Sequence, residues 1–240
     1  MLTMRNLALI EQLNQQAEDP DAVIQLVSRE ITHGVIACSF SAEDIVLIDL
    51  LSRQCPGIDV VAIDTGRLPE ETYQIADVVR HRFKVNLNWL FPEKNEVEAL
   101  LSQQGSYGFR KNLDFRQRCC QVRKVDVLKR GLLGFEAWYT GQRRGQSQTR
   151  QQLQIAESEE IFDPQIKVNP LAFWSQRQVW DHIETQGLPF HDLYRQGYTS
   201  IGCAPCTRAV TPGEDERAGR WWWESPTHKE CGIHQKREIK

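Results

Sequence analysis

From residue 34 the chain alternates short apolar runs with helix-periodic segments, and that alternation leaves few folds open. Gly34-Val35-Ile36-Ala37-Cys38 is the kind of continuous apolar run that a strand covered on both faces carries. Ser41 to Gln54 follows, with Ile45, Leu47, Ile48 and Leu51 at helical spacing. The pattern then predicts a strand over Ile58–Ile63 and a helix over Pro69–Phe83, opened by a proline in its first turn. A strand over Val85–Phe91, helices over Glu93–Gln103 and around Phe115–Arg130, and a strand over Gly134–Thr140 continue it. The fold class expected is α/β, a doubly wound and mostly parallel sheet. Two helical stripes precede it, Leu7, Ile10, Leu13 and then Val23, Ile24, Val27, with Asp19-Pro20 as a start signal between them. From about residue 187 the chain turns rich in Gly, Pro and polar residues. The organisation expected is a helical segment over 1–33, a nucleotide-binding α/β domain over 34–187, and over 188–240 a loop-rich extension belonging to the active site.

Sheets of this kind bind ligands beyond the carboxyl ends of their strands, near a switch point. The strand-end segments are Ser39-Phe40-Ser41-Ala42-Glu43-Asp44, Asp64-Thr65-Gly66-Arg67 and Thr140-Gly141-Gln142-Arg143-Arg144. Ser39 and Ser41 lie where a strand turns into a helix N-terminus, a seat for an anion. No GxxxxGK[ST] motif is present, and Glu43 and Asp44 would repel a triphosphate, so the loop is not built for cutting ATP. Arg143, Arg144 and Arg150 follow one strand end, and Arg208, Arg217 and Arg220 sit in the C-terminal loop. Guanidinium forks match phosphate or sulfate oxygens.

The net charge of −3 implies no chain-wide attraction to nucleic acid. No apolar run approaches a membrane span, and Met1-Leu2-Thr3-Met4-Arg5 lacks a signal-peptide core. A reducing cytoplasm is therefore expected, and the seven cysteines read as thiols, metal ligands or catalytic groups rather than disulfides. Cys119-Cys120 and Cys203-x-x-Cys206 together supply four thiolates for one metal centre. Arg116, Arg118, Arg123 and Lys124 surround the pair, and such cations stabilise a negatively charged iron–sulfur cluster. Adjacent helical cysteines point about 100° apart, which suits a bulky cube; zinc stays open, because soft thiolates admit it too. Lys124, one turn beyond Cys120, is expected on the same face. Cys231, flanked by His228, Lys229, Glu230 and His234, is a candidate nucleophile, since neighbouring cations lower a thiol pKa. The alternative is an incidental tail thiol. Cys38 and Cys55 read as structural.

The set Ser39-Phe40-Ser41 with Glu43-Asp44, Asp64-Thr65-Gly66, Cys119-Cys120-x-x-Arg123-Lys124, Thr140-Gly141-x-Arg143-Arg144, Tyr198-x-Ser200-Ile201-Gly202-Cys203-x-Pro205-Cys206-Thr207, Gly213-Glu214-Asp215-x-Arg217-x-Gly219-Arg220-Trp221 and Glu230-Cys231-Gly232-Ile233-His234 resembles the assimilatory adenosine 5′-phosphosulfate (APS) reductases. The resemblance runs in order from residue 34 to the tail. It implies an adenine nucleotide alpha-hydrolase-like fold and a loop related to that of ATP pyrophosphatases. Relatives often carry an extra glycine between Ser41 and Ala42, so the turn here is expected to tighten. The resemblance also implies that Cys231 attacks the sulfur of APS, expelling AMP and leaving a cysteine S-sulfonate that thioredoxin or glutaredoxin releases as sulfite. Cys119, Cys120, Cys203 and Cys206 would ligate a [4Fe-4S] cluster. Lys124 would lie between cluster and sulfate, and Arg217 and Arg220 would bind phosphosulfate with His234. Ser39, Ser41, Asp44 and Arg150 would help seat the nucleotide, and the backbone near Ile63 and Gly141 would read adenine. The rival is a phosphoadenylyl sulfate (PAPS) reductase, which typically lacks the four cluster cysteines. Use of both nucleotides stays open, as does a homo-oligomer.

Overall fold

The structure, a computed structural model, describes residues 3–16 and 19–225. Among them the strands β1 (Gly34–Cys38), β2 (Asp59–Ile63), β3 (Asn86–Leu90), β4 (Ala137–Tyr139), β5 (Ala156–Ser158) and β6 (Ile166–Val168) form one sheet. Their order is β3-β2-β1-β4-β6-β5. Every neighbouring pair is parallel except β5 with β6, which closes one edge antiparallel. The helices are α1 (Met4–Gln15), α2 (Pro20–Glu30), α3 (Ala42–Gln54), α4 (Glu70–Phe83), α5 (Lys94–Gln104), α6 (Leu113–Cys120), α7 (Asp126–Gly131) and α8 (Gln176–Thr185).

Alternation along the strands distributes their side chains to two cores. Ile36 and Cys38 of β1 join Val60, Tyr139 and Val168 in a core that also takes Leu13 of α1 and Val23, Ile24 and Val27 of α2. Val35, Val61 and Trp138 face the other way, onto Val125, Leu128 and Leu132. Helix α3 lies inside the first core, and every residue from Ala42 to Leu51 is buried. It packs against α2, α4 and α8. The chain builds outward from β1 in one direction to β3, then crosses to β4 on the other side. The switch point therefore lies between the carboxyl ends of β1 and β4, where a ligand crevice is expected.

Several elements differ from the sequence pattern for physical reasons. Leu7 is 47% exposed, and Leu9 shares the buried stripe of α1 with Leu13 instead. Pro69 is the N-cap of α4, one residue before its first turn. The helix expected around Phe115–Arg130 is α6 and α7 joined by a π-helical turn, Gln121–Val125. Such widened turns gather at functional sites. β5, β6 and α8 lie where the pattern predicted no element. β5 and β6 are three residues each, too short to show a period, and α8 buries only Val179 and Ile183. Its Ser175/Gln178 capping box was the legible start signal.

Ile48 is fully buried on α3. Ile48→Ala is expected to cost about 2–5 kcal/mol, the range for a core cavity of this size, as measured by urea denaturation.

Candidate active site

The turn from β1 into α3 is held by its own acid. Asp44 Oδ2 accepts from Ser39 N at 2.6 Å and from Ser39 Oγ at 2.8 Å, and more distantly from Ser41 N. Ser41 Oγ accepts from Asp44 N at 3.2 Å, completing a capping box. Ala42 N donates to the Tyr194 hydroxyl at 3.0 Å. Phe40 N turns to Cys38 Sγ. The amides that a phosphate loop would offer are thus largely engaged by protein groups. Phe40 takes up the tight turn with φ 60°, a left-handed conformation costly for a residue with a Cβ. Burial of its ring beside Trp89, with ring centroids 5.7 Å apart, offsets that strain.

Gly141 lets the β4 loop close onto this turn. A Cβ there would come within 2.8 Å of both Asp44 Oδ1 and Glu43 Cβ. One residue on, Gln142 is buried with an unpartnered Oε1. Arg143 is 1% exposed and donates through Nε and Nη2 to Glu43 Oε1, at 2.9 and 2.6 Å. Its Nη2 also reaches Glu216 Oε1 at 3.1 Å. One guanidinium cannot fully compensate two carboxylates, one buried and one half-buried. Burial pushes Glu216 up to about 7, with Arg143 opposing and Glu43 adding to the shift. Burial likewise raises Asp44, against the hydrogen bonds from Ser39.

A cavity of about 210 Å³ opens at the switch point. Ser39, Ser41, Asp44, Ile63, Lys124, Gly141, Arg150, Arg217 and Arg220 all line it. The structure therefore brings together every site residue expected between positions 39 and 220 outside the cysteines. Of the six loop arginines expected to meet an anion, three do not line the cavity. Arg143 is engaged by Glu43 and Glu216, Arg144 donates to Leu153 O and stacks on Phe173, and Arg208 pairs with Glu214 at 2.8 Å. Sequence reasoning missed Gln146, Thr199, Tyr194 and Glu216 in the lining. Only tertiary contact reveals them.

A second, smaller cavity is lined by Cys119, Cys120, Cys203 and Cys206 together with Arg67, Arg116, Arg123, Lys124, Arg220 and Trp221. The π-helical turn carries Arg123 and Lys124 onto the same cavity as the cysteine pair. The β2 loop reaches the other pair: Thr65 Oγ1 lies 3.3 Å from Cys203 Sγ, and Ala204 N donates to Arg67 O at 2.8 Å. Trp221 is held between the Arg116 and Arg220 guanidiniums, each 4.7 Å from its ring centroid. Gly202 allows this, because a Cβ there would collide with Arg220. Burial pushes the Cys206 thiol up to about 12, and burial raises Cys119 as well.

Among the described residues no three His, Cys, Asp or Glu side chains form a group that could hold a single metal ion. The four thiols instead line a common wall. Arg123 Nε, Arg220 Nε and Trp221 Nε1 are buried beside them without a hydrogen-bond partner. Buried N–H groups call for acceptors, and the sulfurs of a cluster are such acceptors. The donor set fits a polynuclear iron–sulfur group. Cys231 and His234 lie outside the described residues.

The switch-point cavity, the inward-turned acidic loop and the adjoining four-thiol pocket define a nucleotide-binding α/β protein with a thiol-rich second centre. A family model described as "Phosphoadenosine phosphosulfate reductase domain" matches residues 33–209. An adenosine 5′-phosphosulfate reductase of Allochromatium vinosum is 44% identical over 90% of this chain and 85% of its own. One of Burkholderia cepacia is 40% identical over 98% of this chain and 93% of its own. Among solved structures, the phosphoadenylyl-sulfate reductase of Candida auris in a phosphate complex superposes with TM-score 0.71 at 25% identity. It covers 88% of this chain and 98% of that one. The FMN adenylyltransferase of Candida glabrata, at 13% identity and TM-score 0.58 over 97% of this chain and 85% of its own, shares the fold alone. The chain belongs to the phosphoadenosine phosphosulfate reductase family. Its fold is the adenine nucleotide alpha-hydrolase-like one.

Glu216 holds its proton in the folded chain up to about pH 7, well above the ordinary value of 4.5. The fold binds that proton more tightly than the unfolded chain, so stability falls as pH rises from 4.5 to 7. The loss amounts to about 3 kcal/mol at most. Glu216→Gln is expected to remove that slope in chemical denaturation series between pH 5 and 8.

Proposed function

We propose that the protein reduces adenosine 5′-phosphosulfate to sulfite and AMP, in the assimilation of sulfate, through a sulfonate carried on Cys231. The observation that carries this reading is the sharing of one wall by two cavities. Lys124, Arg220 and Trp221 line both the switch-point cavity and the four-thiol pocket. The relatives at 40–44% identity named as adenosine 5′-phosphosulfate reductases support the same substrate.

In this reading the adenosine lies against the ends of β2 and β4, near Ile63 and Gly141, where the cavity wall is apolar and backbone groups are within reach. Ser39, Ser41 and Arg150 seat the 5′-phosphate, and Asp44 acts by holding the serine turn in shape. Arg217 and Arg220 meet the phosphosulfate from the C-terminal segment, with His234 added from the tail. Thiolate attack on a sulfate ester brings two negative groups together, and cations at the developing charge lower that barrier. The Cys231 sulfur forms a bond to the sulfate sulfur, the bond from that sulfur to the phosphate oxygen breaks, and AMP leaves. The first thiolate of a dithiol reductant, thioredoxin or glutaredoxin, then attacks the Cys231 sulfur and expels sulfite. Its second thiol frees Cys231 and the reductant departs as a disulfide. Both electrons come from the dithiol. That exchange calls for a reducing compartment such as the cytoplasm.

Cys119, Cys120, Cys203 and Cys206 would hold a [4Fe-4S] cluster. When bound it supplies a fixed field beside the sulfate, which Lys124 relays across the shared wall. The runner-up reading, use of PAPS or of both nucleotides, is favoured by the superposition on a phosphoadenylyl-sulfate reductase.

The deciding assay is sulfite release from APS and from PAPS with thioredoxin present. APS is expected to be the better substrate, and equal turnover of PAPS would establish dual use. Incubating the enzyme with APS and no reductant should leave a sulfonate on Cys231, seen as a mass increase. Cys231→Ser should abolish both adduct and sulfite while keeping iron and nucleotide binding. Cys203→Ser is expected to lose iron, the visible cluster absorbance and activity together, and an active iron-free variant would remove Cys203 from the ligand set.

A further inference from the structure

The wall between the nucleotide loop and the C-terminal segment sets one guanidinium against two carboxylates. Arg143 comes from the loop after β4, Glu43 from the first turn of α3, and Glu216 from the segment that also carries Arg217. Glu43 holds the stronger share, with two donors at 2.9 and 2.6 Å on one oxygen. Glu216 has a single shared Nη2 at 3.1 and 3.4 Å. Its backbone oxygen accepts from Thr199 Oγ1 at 2.5 Å, which ties the main chain at this position to the wall.

The cavity lining sets three carboxylates, Glu43, Asp44 and Glu216, against four cations, Lys124, Arg150, Arg217 and Arg220. Asp44 Oδ2 accepts from Ser39 and Ser41, and Glu43 Oε1 accepts from Arg143. Glu216 is the carboxylate least held, and it directly precedes Arg217. The groups facing it are Arg143 from the β4 loop, Glu43 from α3, the half-buried Tyr194 from the turn over residues 192–196, and Arg217 from its own segment. An incoming phosphosulfate adds negative charge to a cavity where this carboxylate already lacks a full counter-ion. Ionisation of the least-held acid is then what the bound state disfavours most.

We propose that Glu216, which shares the Arg143 guanidinium with Glu43, takes a proton from solvent as the anionic nucleotide enters, so that nucleotide binding is coupled to proton uptake at this carboxylate. Glu216 thus removes one negative charge from the cavity wall while Arg143 stays with Glu43, and the proton returns to solvent when the products leave. The inference rests on the reading of the cavity as a phosphosulfate site. The ordinary charge state is poised for this exchange, since burial already pushes Glu216 up to about 7.

The test is calorimetric titration of APS into the cluster-loaded Cys231→Ser protein, where bound substrate is not consumed, in buffers of different ionisation enthalpy from pH 6 to 8.5. The phosphosulfate itself does not titrate in this range. The Cys231→Ser parent is expected to take up close to one proton above pH 7, its affinity falling about tenfold per pH unit there. Adding Glu216→Gln, which keeps shape and an acceptor oxygen, should abolish the uptake, flatten the affinity profile and give tighter binding than the parent at pH 8. A purely structural role would weaken binding at every pH and leave proton uptake in place. Binding of APS without proton uptake by the parent, or uptake unchanged by Glu216→Gln, overturns the inference alone. Absence of any APS binding overturns the nucleotide reading and this inference with it. Should Glu216→Gln not fold, the parent's uptake still decides, since none would sink the proposal.

Discussion

Helix α3 begins inside the protein, and that single constraint organises the site. A helix start exposes amides with no intrahelical acceptor, and here water is largely excluded from Ala42, Glu43 and Asp44. The protein must supply the acceptors itself. Asp44 takes the serine amides, Ser41 returns a bond to Asp44, and Tyr194 caps Ala42. Glu43, buried in the same turn, then requires a counter-ion, which Arg143 provides. Arg143 can reach it only because Gly141 lets the β4 loop approach to contact distance. Loop, helix and neighbouring strand end are thereby locked as one unit. The serines stand at the mouth of the cavity without the full amide cradle that a triphosphate needs.

The second organising feature is the shared wall of cations and one tryptophan. Arg116 and Arg220 flank Trp221, and Arg116 is itself anchored by Glu224 in a buried ion pair at 2.9 Å. A guanidinium stacked on an aromatic face keeps its charge while being only weakly hydrated. Positive charge can therefore persist in a buried wall between the four thiols and the switch-point cavity. Lys124 reaches the same wall from the widened turn after Cys120. The chemistry proposed, in which one sulfur approaches a sulfate, depends on such charge being in place before the reactants meet.

Much of this was legible from residue order. The apolar runs at 34–38 and 58–63 marked two interior parallel strands, because a strand covered on both faces has no polar side to show. Ser39, Ser41 and Gly141 stood out as strand-end residues, and the paired cysteines declared a common centre by type and spacing. What could not be read were the features that depend on neighbours distant in sequence. Arg143 and Arg144 look identical to Arg150 as loop arginines, yet a buried Glu43 and the Phe173 ring claim the first two. The π-helical turn leaves no mark in a window that assumes 3.6 residues per turn. β5 and β6 are recognisable only through pairing with each other and with β4.

Residue order alone determined the alternating α/β framework, the strand ends that carry the polar loops, and the thiols and arginines available to a site. These follow from local periodicity and side-chain chemistry, which neighbours in space do not alter. Only the tertiary structure decided which acids turn inward, which arginines remain on the cavity and which two cavities share a wall. A buried charge must find its partner wherever the fold places one, and here Glu43 and Glu216 meet at Arg143 from positions 100 and 73 residues away in the chain.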